Sequence, residues 1–102
     1  MQFDWDEANS AHIALHKITP AEAEQVVLND PLDLAFETSS GEERMAQVGE
    51  THAGRILVVI TTTRDDLIRV VTAFPAAKRL RKLYIAQRGI HEGGTEEEEI
   101  PE

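Results

Sequence analysis

His12 and His16 stand four residues apart, so on a helix they share a face. An imidazole pair suits metal ligation, because a neutral imidazole nitrogen is a common metal ligand. As a metal site the pair is incomplete: the neighbouring sequence offers no third ligand for a tetrahedral ion. Hydrogen-bonded or solvent-facing histidines are the plainer reading. His16 also suits a helix end, where a cation meets the dipole. No metal and no cofactor are expected.

The cations divide into two groups. Arg44 and Arg69 stand alone within β-like stretches, where a guanidinium fork can hold two oxygens of an anionic group. The competing reading is structural. Arg69 then pairs with a carboxylate on a neighbouring strand, and Arg44 with Glu42 or Glu43 beside it. Lys78, Arg79, Arg81, Lys82 and Arg88 cluster within eleven residues. Such a cluster can contact phosphates without reading sequence, form a solvated face, or pair with the glutamates that follow it.

The elements that must position these groups are organised around residues 55–73. Ile56–Ile60 is a run of five apolar residues, four of them β-branched, which predicts a strand covered on both faces. Arg64-Asp65-Asp66 supplies a polar turn, and Leu67–Ala73 returns as the second strand of a hairpin. Upstream, Leu32, Leu34 and Phe36 alternate with polar or small residues as a half-buried strand, and Arg44–Glu50 reads as another. Met1–Trp5 could form a small strand.

Asp6 is a plausible cap for a helix reaching about Lys17, with Ala8, Ala11 and Leu15 turned to the sheet. Thr19-Pro20-Ala21-Glu22 opens a second helix with a capping box, and Ala23, Val26 and Val27 form its stripe. Phe74-Pro75 ends the sheet and opens a last helix with Leu80, Leu83 and Tyr84 on one face and Gly89 as its stop. The expected fold is α+β: an antiparallel sheet of about four strands with two N-terminal helices and a C-terminal helix, in the order β-α-α-β-β-β-β-α.

With 102 residues the chain suits one domain over 1–89, followed by a disordered acidic tail over 90–102. The net charge of −9 owes much to that tail, because 1–91 holds 13 acidic against 10 basic residues. The tail is expected to reach back to the basic helix as an anion mimic. The absence of cysteine excludes a disulfide framework, and no apolar run is long enough to span a bilayer. No signal-peptide pattern is visible, so no membrane association and a cytoplasmic location are expected.

Several short stretches, in this order, resemble the BrnT toxin family (DUF497), RelE-like ribonucleases of type II toxin–antitoxin pairs. They are Phe3-Asp4-Trp5-Asp6 with Glu7 and Asn9, then His16, Asp30-Pro31-Leu32, Glu42-Glu43-Arg44, Val48-Gly49 and Gly54-Arg55. Arg69 and Arg81-Lys82-Leu83-Tyr84 complete the series. The resemblance implies a metal-independent endoribonuclease, with a BrnA-type antitoxin as partner, RNA as a further partner, and homo-oligomerisation left open.

Such cleavage requires activation of a 2′-hydroxyl, stabilisation of the phosphorane and protonation of the departing 5′-oxygen. By resemblance Arg44 and Arg69 would contact phosphate, Tyr84 would orient or protonate, and His16 would be the acid–base group. Lys78, Arg81, Lys82 and Arg88 would bind RNA along the last helix. The chain departs from the family where its serine–alanine–arginine–lysine–alanine run is Thr72-Ala73-Phe74-Pro75-Ala76, where Leu80 replaces a glutamate, and where lysine–histidine–glycine is Leu15-His16-Lys17. The alternative function is a catalytically inactive family member acting as a protein-binding module.

Overall fold

The computed structural model describes residues 1–89. The expected acidic tail over 90–102 lies outside the described residues. The elements are α1 (Glu7–Ala14), α2 (Pro20–Leu28), β1 (Leu32–Ser39), β2 (Glu42–Glu50), β3 (Ile56–Arg64), β4 (Leu67–Pro75) and α3 (Lys78–Gly89). The four strands form one antiparallel sheet in chain order, β1-β2-β3-β4. Phe3 adds a single parallel bridge to Ile68 at the β4 edge. The α+β layout read from the sequence is the observed one, except that the small strand expected over Met1–Trp5 is reduced to this single bridge.

Tight turns set the meander. Ser40 and Gly41 in the first hairpin, and Asp65 and Asp66 in the third, all have positive φ. Two such residues in a row twist a hairpin in the same sense as its strands. The second connection, between β2 and β3, uses Gly54 at φ 91° and closes with the Thr51 amide on the Arg55 carbonyl at 2.8 Å.

β3 is the centre of the molecule, with Leu57, Val58 and Val59 all buried. Its alternation feeds two cores. Leu57 and Val59 join Val70 and Ala73 of β4 beneath Ile13, Ile18, Ala23 and Val26 from the N-terminal helical layer. Val58 joins Val48, Ala76 and Tyr84 on the other face, with Leu80 and Phe74 packed around them. A layer on each face is what a run of consecutive β-branched residues needs.

Five details differ from the sequence expectation. In α1 the residues turned inward are Asn9 and Ile13, while Leu15 is 77% exposed. The apolar spacing misled because Asn9 serves as an inward-facing polar clamp: its side-chain amide donates to the carbonyls of Asp4 at 3.0 Å and Val70 at 3.2 Å. α1 also stops at Ala14, and the chain leaves it through Lys17 at φ 61°.

In β1 an irregularity between Asp33 and Ala35 breaks the alternation of Leu32, Leu34 and Phe36, leaving Phe36 61% exposed. In the last helix Leu80 and Tyr84 pack inward but Leu83 is exposed. That helix begins at Lys78, because β4 continues through Pro75 and the Ala76 amide still donates to Ile56 at 3.0 Å.

Candidate active site

Strand pairing brings Arg44, Thr62 and Arg69 into one row, since Arg44 pairs with Thr62 and Thr62 with Arg69. Two-residue steps from Val48 and Val58 reach Arg44 and Thr62, so the row shares the sheet face of the second core. α3 covers one end of that face; the arginines lie at the other.

Arg69 joins the row only because β4 carries a bulge. Ile60 pairs with Thr72 but Thr61 pairs with Val70, leaving Val71 as the extra residue. Uninterrupted alternation from Ala73 would send Arg69 to the same face as the first core. The bulge puts Val70 there instead and turns Arg69 to the open face.

A cavity of about 230 Å³ lies over this row. Its polar lining is His12 and Asn9 from α1 with Glu42, Arg44, Thr62, Arg64 and Arg69 from the sheet. Glu42 lies 2.9 Å from Arg44 and 3.8 Å from Arg64, so one carboxylate stands between two guanidinium groups. Arg69, with 13% of its side chain accessible, lies 3.1 Å from Asp6 and 3.4 Å from Asp4. The hydrogen bond from Arg69, aided by the Asn9 amide, holds the Asp6 carboxyl below its ordinary value. The bond to Asp6 in turn raises Arg69.

The residues singled out in the sequence are distributed unevenly. Arg44 and Arg69 line the cavity; His16 and Tyr84 do not. The His16 ring meets Phe74 edge-on, with centroids 6.2 Å apart. Phe74 itself packs against the second core. Tyr84 is 4% exposed in that core, and burial pushes its hydroxyl above its ordinary pKa.

Arg88 lies over the Tyr84 ring, 5.4 Å from its centroid, and pairs with Asp30 at 2.9 Å. Lys78, Arg81 and Lys82 are exposed on α3 and do not line the cavity. The structure thus supplies His12, Glu42 and Arg64 as cavity residues that the sequence did not single out as catalytic. For Arg64 the signal was the alternation Val58, Ile60, Thr62, Arg64. For His12 it was the four-residue spacing to His16, which could not tell which imidazole sits over the strands.

Residues 5–79 match the family model described as ribonuclease toxin, BrnT, of type II toxin–antitoxin system. The chain belongs to the BrnT toxin family. The matched span includes every residue of the cavity and ends before Arg81, Lys82, Tyr84 and Arg88. No curated protein matches the chain. As a BrnT toxin of a type II system it has an antitoxin for a partner. No described helix is long and apolar enough to cross a membrane. Among the described residues, no group of three or more His, Cys, Asp or Glu is placed to hold a metal ion.

Proposed function

We propose that this BrnT toxin is a metal-independent endoribonuclease and that the arginine-lined cavity is where RNA is cut. The observation that carries the reading is the convergence, in one cavity, of an imidazole, a carboxylate and three guanidinium groups. Glu42 takes the proton from a 2′-hydroxyl as its oxygen attacks phosphorus. His12, as imidazolium, donates a proton to the 5′-oxygen as the P–O bond breaks, leaving a 2′,3′-cyclic phosphate and a free 5′-hydroxyl. Arg44, Arg64 and Arg69 stabilise the phosphorane, where charge accumulates on the non-bridging oxygens. The acid–base role that the resemblance would give to His16 passes in this reading to His12.

Exposed Lys78, Arg81 and Lys82 on α3 extend the phosphate contacts, while Arg88 is held by Asp30. A BrnA-type antitoxin neutralises the toxin by covering the cavity, and both act in the cytoplasm, where the RNA is. Residues 1–89 form the toxin domain, and the acidic residues beyond it are an appendage.

The test is incubation of the purified full chain with RNA in the presence of EDTA. Cleavage with cyclic phosphate ends is expected. His12→Ala, Glu42→Gln and Arg69→Ala should each reduce it by about two orders of magnitude or more, whereas Tyr84→Phe and His16→Ala retain it. Intact RNA, or full activity in His12→Ala, would overturn the reading.

A further inference from the structure

We infer that the outer edge of β1 docks an extended segment of the antitoxin, in which an apolar residue stands between two lysines or arginines at alternate positions. The segment adds a fifth strand to the sheet. This rests on membership of the family, which supplies the partner, and not on the ribonuclease reading of the cavity.

The two edges of the sheet differ. At the β4 edge the N-terminal segment docks: the Asp4 amide donates to the Ile68 carbonyl at 2.8 Å, and the Ile68 amide donates to the Gln2 carbonyl at 2.9 Å. β1 is the other outermost strand, and among the described residues nothing pairs with its outer side. Residues 33–38 are all exposed. An open edge is a template for another chain, and proteins guard it with lysine, proline or a very short strand. β1 has eight residues and contains neither lysine nor proline. Its irregularity lies near its start, and residues 35–39 pair regularly with β2. Their outer backbone groups are free to bond a partner's main chain.

Side chains beside this edge select the occupant. Phe36 pairs with Met45 and Met45 with Thr61, two residues along β3 from Val59, so the row lies on the face of the first core. The helical layer leaves it open there: Phe36 is 61% exposed beside a groove of about 540 Å³. The charged residues lining that groove, Glu42 and Glu43, are both acidic. Glu42 belongs to Arg44 and Arg64, but Glu43 does not. On β2, Gln47 and Glu43 stand two residues either side of Met45, and Asp33 pairs with Gln47. Asp33 accepts from the Gln47 side-chain amide at 2.8 Å. Among the described residues neither Asp33 nor Glu43 has a cation for a partner.

The sheet's arginines, Arg44, Arg64 and Arg69, line the cavity on the opposite face. A strand laid along β1 therefore meets an aromatic ring with a negative charge on each side. Charge complementarity calls for a cation two residues before and two residues after the apolar contact. A second copy of β1 lacks this pattern, since it brings Asp33 and Glu37 and no cation.

The experiment measures the affinity of full-length toxin variants for the cognate antitoxin across a salt series. Phe36→Ala should weaken binding about tenfold, as loss of an aromatic anchor does. Asp33→Lys/Glu43→Lys should weaken it about tenfold at low salt and less at high salt. In the complex of the parent chain, hydrogen exchange at the amides of residues 35–38 should slow. The three substituted side chains are exposed, so urea midpoints equal to that of the parent are expected.

Unchanged affinity in either variant, or β1 amides that exchange as fast in the complex as in the free toxin, overturns the inference. So does a free toxin that is dimeric and becomes monomeric in Phe36→Ala, because the occupant is then a second copy. Failure of the ribonuclease reading is seen separately, as RNA left intact by the parent while the affinities still respond.

Discussion

The Arg69 guanidinium reaches over the edge of the sheet to Asp6, 3.1 Å away, and joins β4 to the residue that caps α1. Asp6 does two things at once. It accepts from the Asn9 amide at 3.1 Å to start the helix, and it fixes a cation at the cavity. Asn9 completes the clamp by donating to the carbonyls of Asp4 and Val70, the latter beside the bulge that turns Arg69 outward. Helix start, strand bulge and candidate site are thus one unit.

The first prediction concerns acid. Arg69 and the Asn9 amide lower the Asp6 pKa in the folded chain, so the folded state holds that proton less readily than the unfolded chain. The stabilisation is therefore fully present above the ordinary carboxylate range and is lost as pH falls through the lowered value. Asp6→Asn keeps a good cap but removes the charge. Urea unfolding of both proteins between pH 6 and pH 2 should show a shallower acid decline in the variant, with the two curves converging at the acid end. Parallel curves would show that the pair adds no pH dependence.

A second prediction follows from Lys17, which ends the first helical segment at φ 61°. A residue with a Cβ is strained there, and glycine is not. The Lys17 carbonyl accepts from Arg55 at 3.0 Å, and that bond survives loss of the side chain. Lys17→Gly should stabilise the protein by about 0.5–1 kcal/mol, the relief of strain outweighing the added freedom of the unfolded chain. A thermal midpoint raised by several degrees is expected; an unchanged or lower midpoint would count against it.

The third concerns Gly49, where α2 meets β2. A Cβ there would lie 3.0 Å from Val26 Cγ1, 3.2 Å from Pro31 Cβ and 3.3 Å from the Val26 carbonyl oxygen. Two of these neighbours are a buried helix residue and a rigid ring, so neither side can yield easily. Gly49→Ala should destabilise by about 1–3 kcal/mol, as overpacking does. The urea midpoint measures it, and a midpoint equal to that of the parent would show that the helix can shift at no cost.

Much of the fold is determined by local sequence. The β-branched run at Ile56–Ile60 has to be covered on both faces. The Thr19–Glu22 box and Pro20 start α2 where expected, with the Glu22 amide donating to Thr19 at 3.2 Å. Burial pushes the Glu22 carboxyl upward, but the Thr19 amide and Arg55 outweigh it and hold the group below its usual range. The same local logic located Arg44 and Arg69 as the isolated cations of their strands, and it anticipated Glu42 as the partner of Arg44; for Arg69 it expected a carboxylate on a neighbouring strand, where Thr62 stands instead.

The partners of Arg69 and the choice of histidine depended on tertiary structure. Asp4 and Asp6 lie more than sixty residues from Arg69 in sequence and meet it only because the N-terminal segment docks along β4. His12 rather than His16 lines the cavity because α1 stops at Ala14, so His16 falls in the turn beyond the helix, where its ring meets Phe74. The direction of Arg69 rests on one unpaired residue, Val71. A period-two pattern assigns faces only along an unbroken ladder, and a single extra residue reverses every assignment beyond it.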